Sequence, residues 1–173
     1  MNYIVAVDEK WGIGKQNDLL FSLKGDMAFF RETTRGKTVV MGDRTLASLP
    51  GGRPLKGRDN VVMTLLPDFV PPEGVTVCRS LGDLFALLAG RENDDDVFVI
   101  GGATIYNLLQ PYCRYAYITK VQADGNAEVF IRNLDEDPAW RVCHTGETLC
   151  ENGLTYTFYT YENTAVKPYD PAQ

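Results

Sequence analysis

The sequence predicts a single α/β domain whose sheet is largely parallel. Its 173 residues are the length of one ordinary domain, able to bury roughly 70% of the surface of the unfolded chain. Short β-rich runs alternate with helical stretches, which is the order of elements in α/β proteins. Several early runs are continuously apolar, as in strands buried on both faces of a parallel sheet. No internal repeat divides the chain, so one core is expected.

Eight segments have the composition of strands, and the last two differ from the others. The sequence Glu151-Asn152-Gly153 stands between them and is typical of a tight turn. These two segments are therefore expected to form an antiparallel hairpin at one edge of the sheet. The predicted strands are residues 3–7, 38–41, 60–64, 75–78, 97–100, 115–121, 140–144 and 155–161.

Four segments between the strands have helical patterns. The predicted helices are residues 24–34, 44–49, 81–89 and 103–109. Ser22 is a plausible N-cap for the first. Two long connections contain several glycines, residues 8–22 and 50–58, and loops of this length in a compact domain are often functional. The domain is expected to occupy residues 1–162, with residues 163–173 following as a loose tail.

The composition excludes several classes of protein. A formal charge of −6 argues against nucleic-acid binding. The single histidine, His144, is expected on an exposed strand or loop, and one histidine without a GxSxG turn argues against both zinc sites and catalytic triads. None of the four cysteines forms a CxxC pair, so no metal site is expected. Without a signal peptide or an apolar run of about 20 residues, a cytoplasmic protein with reduced thiols and no membrane partner is expected.

One segment departs from the acidic character of the chain. Residues 31–58 carry seven lysines and arginines but only two acids, a net charge of +5. Such a segment could bind a small anion. Arg44 and Thr45 open a predicted helix and could bind phosphate there, while Arg58 could grip a carboxylate. The other cations of the segment are expected to be solvated.

Asp26 is the first candidate for chemistry. Leu23, Phe29 and Phe30 can share its side of the predicted helix, so its carboxylate would be desolvated and its pKa raised unless a partner stabilises the charge. Such a group could anchor a cationic or hydrogen-donating heterocycle. Equally, Asp26 could simply complement the positive end of the helix. The pattern alone leaves both interpretations open.

A pair of glycines is the second candidate. Gly101 and Gly102 lie between an apolar strand and a helix. Glycine at such a turn lets a ligand approach the backbone, and a helix N-terminus favours phosphate. A tight turn without any ligand explains the pair equally well.

These features belong to a set of short motifs that occur in a fixed order. Over residues 2–161 they resemble the dihydrofolate reductase family in its bacterial type. The motifs are Ile4-Val5-Ala6-Val7, Trp11-Gly12-Ile13-Gly14-Lys15, Asn17-Asp18-Leu19, Asp26-Met27-Ala28-Phe29-Phe30-Arg31, Val40-Met41-Gly42-Asp43-Arg44-Thr45, Gly52-Arg53-Pro54-Leu55-Lys56-Gly57-Arg58, Val99-Ile100-Gly101-Gly102-Ala103 with Tyr106, and Tyr117-Ile118-Thr119.

The resemblance implies a three-layer sandwich: a mostly parallel eight-stranded sheet, a C-terminal antiparallel hairpin and four flanking helices. It also implies reduction of 7,8-dihydrofolate to tetrahydrofolate by NADPH, with Asp26 favouring protonation at N5 and Thr119 hydrogen-bonded to its carboxylate. Leu19 would belong to a loop that closes over the nicotinamide, and Phe21 would stand beside the substrate. Arg58 would bind the α-carboxylate of the glutamate tail. The apolar pocket would be lined by Ile4, Val5, Met27, Phe30, Leu49, Leu55 and Ile100.

The same resemblance implies a set of cofactor contacts. Asp43 stands where many relatives have arginine, and an acid beside a 2′-phosphate is unfavourable, so NADPH is expected but use of NADH is possible. The expected contacts are Ala6, Ile13, Gly14, Gly42, Asp43, Arg44, Thr45, Thr64, Arg79, Ile100, Gly101, Gly102, Ala103, Thr104, Ile105 and Tyr106.

A second departure concerns the residues after the active-site loop. Leu20-Phe21 replace the usual Pro-Trp, so Phe21 lacks an indole donor, and altered affinity for substrate or inhibitors is expected. The expected partners are dihydrofolate and antifolate inhibitors, and the expected state is a monomer. Two other interpretations remain open: a related reductase of the same fold, such as that of the riboflavin pathway, and a catalytically silent nucleotide- or pterin-binding module.

Overall fold

A computed structural model of the protein describes residues 1–16, 18–91 and 94–170. This part of the chain forms eleven strands and four α-helices, joined by turns and short 3-10 helices. The helices are α1 (Lys24–Thr34), α2 (Asp43–Ser48), α3 (Leu81–Ala89) and α4 (Ala103–Leu109). The strands are β1 (Asn2–Val7), β2 (Gly12–Lys15), β3 (Asp18–Leu19), β4 (Thr38–Gly42), β5 (Asp59–Met63), β6 (Val75–Cys78), β7 (Val97–Gly101), β8 (Tyr115–Val121), β9 (Val129–Phe130), β10 (Trp140–Glu151) and β11 (Leu154–Asn163).

Eight strands form the main sheet, in the order β10-β11-β8-β1-β7-β4-β5-β6. The pairs from β8 to β6 are all parallel, whereas β11 pairs antiparallel with both β8 and β10. The predicted fold class is therefore confirmed, including the hairpin at one edge. Among the described residues, no helix is both long and apolar enough to cross a membrane.

The continuously apolar strands lie at the centre of this sheet. Val39, Val40 and Met41 in β4 are completely buried, and Val61 and Val62 in β5 are nearly so. Both faces of these strands are covered, which is why their sequences show no alternation. Burial of these side chains is the main source of stability in the centre of the domain.

The hairpin extends beyond the predicted segments. Strand β10 runs to Glu151 instead of ending at residue 144. Its residues after Trp140 are mostly exposed, so the apolar pattern is too weak to predict the second half of the strand. Two irregularities in its pairing with β11 also break the period of two. Asn152 and Gly153 have φ angles of 52° and 77°, as a two-residue hairpin turn requires.

A second, three-stranded sheet was not predicted from the sequence. It joins β3, β2 and β9 in that order. Two of these strands have only two residues each, too few for a strand pattern, and the third contains two glycines, which are depleted in strands. Asn17, between β2 and β3, lies outside the described residues.

The start of α1 differs from the prediction. Leu23, not Ser22, occupies the N-cap position, and its side chain makes no capping hydrogen bond. The carboxylate of Glu151 instead accepts hydrogen bonds from the backbone N–H of Lys24 at 2.7 Å and of Gly25 at 3.4 Å. The cap comes from 126 residues away in the chain, where no local sequence signal could reveal it.

The chain after β11 packs against the domain instead of forming the expected loose tail. The ring of Tyr169 stacks on Phe85 with 5.0 Å between centroids, and its hydroxyl donates to Asp94. The N–H of Lys167 also donates to the carbonyl of Pro111 at 2.9 Å. A stacked aromatic ring thus holds residues 164–170, while residues 171–173 lie outside the described residues.

Candidate active site

Asp26 and Thr119 meet between α1 and β8. The hydroxyl of Thr119 donates to Asp26 Oδ1 at 2.6 Å, and Thr119 is buried. Burial raises the pKa of the Asp26 carboxyl, and the hydrogen bond from Thr119 partly opposes that rise. A carboxylate that only complemented a helix end would be solvated, so the structure favours the desolvated anchor of the two sequence-based interpretations.

This burial has a consequence for stability. Because the pKa of Asp26 is raised in the folded state, its ionisation costs stability as the pH rises from the normal pKa of the unfolded chain through the folded value. We expect Asp26→Asn to raise Tm at pH 8 by about 2–4 °C, the equivalent of about 1 kcal/mol in a domain of this size. The gain should disappear near pH 4, where the parent carboxyl is protonated. Thermal unfolding from pH 4 to pH 8 checks this, and a parent that is the more stable at pH 8 contradicts it.

Glycines at the ends of β4 and β7 open a cradle beside this pair. The Gly101–Gly102 peptide is cis and Gly101 has a φ of 134°, a region that side chains rarely adopt. A Cβ on Gly101 would lie 3.3 Å from Thr45 Oγ1, and one on Gly42 would lie 3.2 Å from Ile105. The starts of α2 and α4 therefore lie close together at the carboxyl ends of parallel strands, and the glycine backbone between them forms the cradle.

Tyr106 joins this cradle to the first strand. Its buried hydroxyl donates to the carbonyl of Ile4 at 2.8 Å, and burial raises its pKa, so it stays protonated. The hydroxyl of Tyr106 is thus used within the protein.

A cluster of polar side chains, formed by Asp43, Thr64 and Arg79, lies beside the start of α2. Thr64 Oγ1 donates to Asp43 Oδ2 at 2.6 Å, and Arg79 donates to the carbonyl of Leu66 at 2.5 Å. Asp43, Thr64 and Arg79, which the resemblance assigned to one ligand, are held around one short loop. Arg44 follows Asp43 on α2 and is exposed.

Arg58 lies half-buried near Arg31 and Arg35 at the end of α1. Its Nη1 donates to the carbonyl of Lys56 at 3.1 Å, but its buried Nε has no hydrogen-bond partner. Burial, and then the neighbouring guanidinium groups of Arg35 and Arg31, lower the pKa of Arg58. A bound anion would satisfy Nε and relieve this repulsion.

The side chain of Asn60 shapes the loop that carries Arg58. It donates to the carbonyls of Leu55 at 2.9 Å and Arg58 at 3.1 Å, and it accepts from the N–H of Leu55 at 2.9 Å. Sequence reasoning missed this buried residue. A polar side chain at the start of an otherwise apolar strand was the available signal.

The apolar residues that the resemblance assigns to the site differ in how deeply they are buried. Leu49, Leu55 and Ile100 pack on the cluster formed by Val39, Met41, Leu46 and Val62. Met27 and Leu19 are 53% and 77% exposed, so both can contact a ligand without rearrangement. The remaining assigned residues are buried (Ile4) or intermediate in exposure (Val5, Ala6, Ile13, Gly14, Phe30, Gly102, Ala103 and Ile105), while Thr104 is exposed on α4.

Phe21 belongs to a different cluster from the pocket residues. It packs with Leu23, Val121 and Tyr156, and its ring lies close to Gly125, where a Cβ would be 3.2 Å away. The ring therefore anchors the end of the loop before α1. Nothing in the structure gives it the donor that an indole would have.

Asp8 connects two loops beside the site, and sequence reasoning did not identify it. Its buried carboxylate accepts from the N–H groups of Lys10 at 2.9 Å, Gly12 at 2.8 Å and Gly125 at 3.0 Å. An acid directly before a glycine-containing loop was the signal. Asp8 fixes the base of the loop formed by β2 and β3.

Comparison with known proteins agrees with this geometry. The family model for dihydrofolate reductase matches residues 1–163. A dihydrofolate reductase of Bacillus subtilis is 36% identical over 94% of this chain and 94% of its own length, and one of Heliothis virescens is 33% identical over 94% and 96%. A solved dihydrofolate reductase of Enterococcus faecalis, complexed with NADP(H) and RAB-propyl, superposes with a TM-score of 0.82 and 30% identity over 94% of this chain and 95% of that one. The sequence-based identification is confirmed: the chain belongs to the dihydrofolate reductase family.

Proposed function

We propose that this protein reduces 7,8-dihydrofolate to 5,6,7,8-tetrahydrofolate with NADPH. The observation that carries the proposal is the Asp26–Thr119 pair, a desolvated carboxylate at 2.6 Å from its donor, placed beside a glycine cradle. When bound, the nicotinamide supplies the hydride. The protein supplies binding, orientation and the control of one proton.

In this proposal, Asp26 binds the amino group and the adjacent ring nitrogen of the pterin. Burial raises the pKa of Asp26, which favours the protonated form of the carboxyl and so the protonation of N5. Thr119 holds the carboxylate in one orientation. The apolar residues assigned to the pocket, among them Leu49, Leu55 and Ile100, would exclude water from the bound pterin and strengthen these interactions.

The residues at the cradle fit a dinucleotide phosphate. The glycines at the ends of β4 and β7 let the starts of α2 and α4 pack closely, and backbone without side chains suits close approach of a pyrophosphate. Arg44, Thr45 and Thr104 border this space from α2 and α4. Arg79 and Thr64 lie where a 2′-phosphate would have donors, with Asp43 as an opposing charge.

An absorbance assay at 340 nm with dihydrofolate, run with NADPH and NADH in parallel, tests both the activity and the cofactor. We expect a higher kcat/KM with NADPH, because Arg79 and Thr64 favour the extra phosphate. Asp43→Asn should increase kcat/KM for NADPH by several-fold and should not increase that for NADH, since only NADPH has a phosphate for the carboxylate to repel, whereas an acid can bind the free ribose hydroxyl of NADH. A clear preference of the parent enzyme for NADH contradicts the cofactor assignment.

The same assay separates the other functions that the sequence allows. A related reductase would consume NADPH with another pteridine or pyrimidine but not with dihydrofolate. A silent binding module would bind NADPH without consuming it. Arg58 favours the folate, because its unpaired Nε suits a substrate that carries a carboxylate.

We further propose that antifolate inhibitors bind at the Asp26 pocket and that the protein acts in the cytoplasm as a monomer. The four cysteines are free, two of them exposed, which suits a reducing compartment. Size-exclusion chromatography with light scattering measures the oligomeric state, and a stable dimer contradicts this part of the proposal.

A further inference from the structure

The tip of the β10–β11 hairpin is docked on the first turn of α1. Glu151, the last residue of β10, accepts from the N–H of Lys24 at 2.7 Å and of Gly25 at 3.4 Å. A Cβ on Gly25 would lie 2.2 Å from the hydroxyl oxygen of Tyr156 on β11. Only glycine permits this approach, so the hairpin and the helix start are fitted to each other.

The cap that Glu151 supplies is the one that α1 itself lacks. The first N–H groups of a helix have no partner within the helix, and neither Leu23 nor Ser22 provides one here. Asp26 is the third residue of α1. The carboxylate of Glu151 therefore binds the two N–H groups that precede the residue proposed to control the proton.

Asp26 lies in the first turn of α1, so the cap on that turn affects the ionisation of its carboxyl. The positive end of a helix stabilises a nearby carboxylate and favours its ionised form. A second carboxylate on the same N–H groups has the opposite effect, because it neutralises that end and repels the first. Glu151 is thus placed to make ionisation of Asp26 harder.

The other groups around Asp26 do not reproduce this effect. Thr119 of β8 donates to the carboxylate and favours its ionised form. Tyr106 of α4 and Tyr156 of β11 also interact with Asp26, but burial raises the pKa of both phenols, so both stay neutral. The side chain of the neighbouring Lys24 is exposed to solvent, which screens its charge.

We propose that Glu151 is a positioning residue, which fixes the first turn of α1 and offsets its positive end so that Asp26 retains its proton at higher pH. This inference rests on the proposed role of Asp26 in the reductase reaction. It gives the hairpin, which contacts neither ligand in the proposed function, a part in setting the working pH range.

The test is the pH dependence of single-turnover hydride transfer in the full-length enzyme with NADPH and dihydrofolate. Glu151→Gln keeps an acceptor for the helix N–H groups and removes the charge. We expect the apparent pKa of the rate to fall by about half a pH unit, which lowers the rate about threefold above that pKa. The rate on the acid plateau should stay within twofold of the parent. Glu147→Gln, an exposed residue of the same strand, is the matched control and should change neither quantity.

An unchanged apparent pKa in Glu151→Gln overturns the inference. If the rate on the plateau falls while the pKa stays unchanged, Glu151 is a purely structural cap. Glu151→Asp retains the charge and should retain the parental pKa, which keeps the test valid if Glu151→Gln folds poorly. Asp26→Asn is measured in parallel. If that variant keeps the parental rate and pH profile, the proposed role of Asp26 fails, independently of Glu151.

Discussion

Replacement of Asp26 by Asn is expected to lower kcat at pH 7 by about a hundredfold or more, the usual contribution of a positioned proton donor. Asparagine has nearly the same shape and can still accept the hydrogen bond that Thr119 makes at 2.6 Å. The variant therefore removes the titratable proton with little change to the pocket. The loss should be greatest in single-turnover hydride transfer, where product release does not limit the rate.

The control for this variant is its affinity for the cofactor, because Asp26 is not proposed to contact NADPH. The affinity for NADPH, measured by quenching of protein fluorescence, should stay within a few-fold of the parent. The pH dependence of the rate that is assigned to Asp26 should also be lost. A kcat within threefold of the parent would falsify the role given to this carboxylate.

Replacement of Arg58 by Leu is expected to raise KM for dihydrofolate by about 10–100-fold with little change in kcat. The reason is the buried Nε without a partner, which a substrate carboxylate would satisfy. A hydrogen bond to a charged group is worth about 1.5–3 kcal/mol, and the interaction lies far from the reacting atoms, so it should be equal in the ground and transition states. Steady-state kinetics over a wide range of substrate concentrations measure the separation of KM from kcat.

Arg53→Leu is the matched control, because Arg53 is an exposed cation of the same basic segment. Its KM should rise by no more than about twofold, the effect of a screened surface charge. A dihydropteroate substrate, which has no glutamate tail, gives a second control, since the loss in Arg58→Leu should vanish with it. Equal effects of Arg53→Leu and Arg58→Leu on KM would contradict a specific contact, because Arg58 would then contribute only a general electrostatic attraction.

The parts of the fold that the sequence predicts are those in which local pattern and burial agree. The central strands, such as β4, are apolar throughout because both faces are covered, and their predicted limits differ from the observed ones by a single residue. The sheet of β3, β2 and β9 has no such signal, since its strands are short and the pairing of β2 with β9 joins residues more than 100 positions apart. The packed tail was missed because one aromatic ring, Tyr169, holds it.

The candidate site shows the same division. Asp26, Arg58 and Gly101-Gly102 could be identified because each stands in a motif whose chemistry is local. Glu151 could not, because it acts on the backbone of α1, 126 positions away. Asn60 and Asp8 left only weak local signals, and the contact of Asp8 with Gly125 joins distant segments. A single sequence does not reveal which distant N–H group a carboxylate will bind, and that partner decides whether the residue matters to the site.

The carboxylate of Asp8 joins two loops that are far apart in the chain, and this determines how they open. Each oxygen of this carboxylate holds one loop, because the N–H of Gly12 donates to Oδ1 and the N–H of Gly125 donates to Oδ2. Loss of the Asp8 carboxylate would therefore free both loops at once, so the local stability of the two loops depends on one side chain.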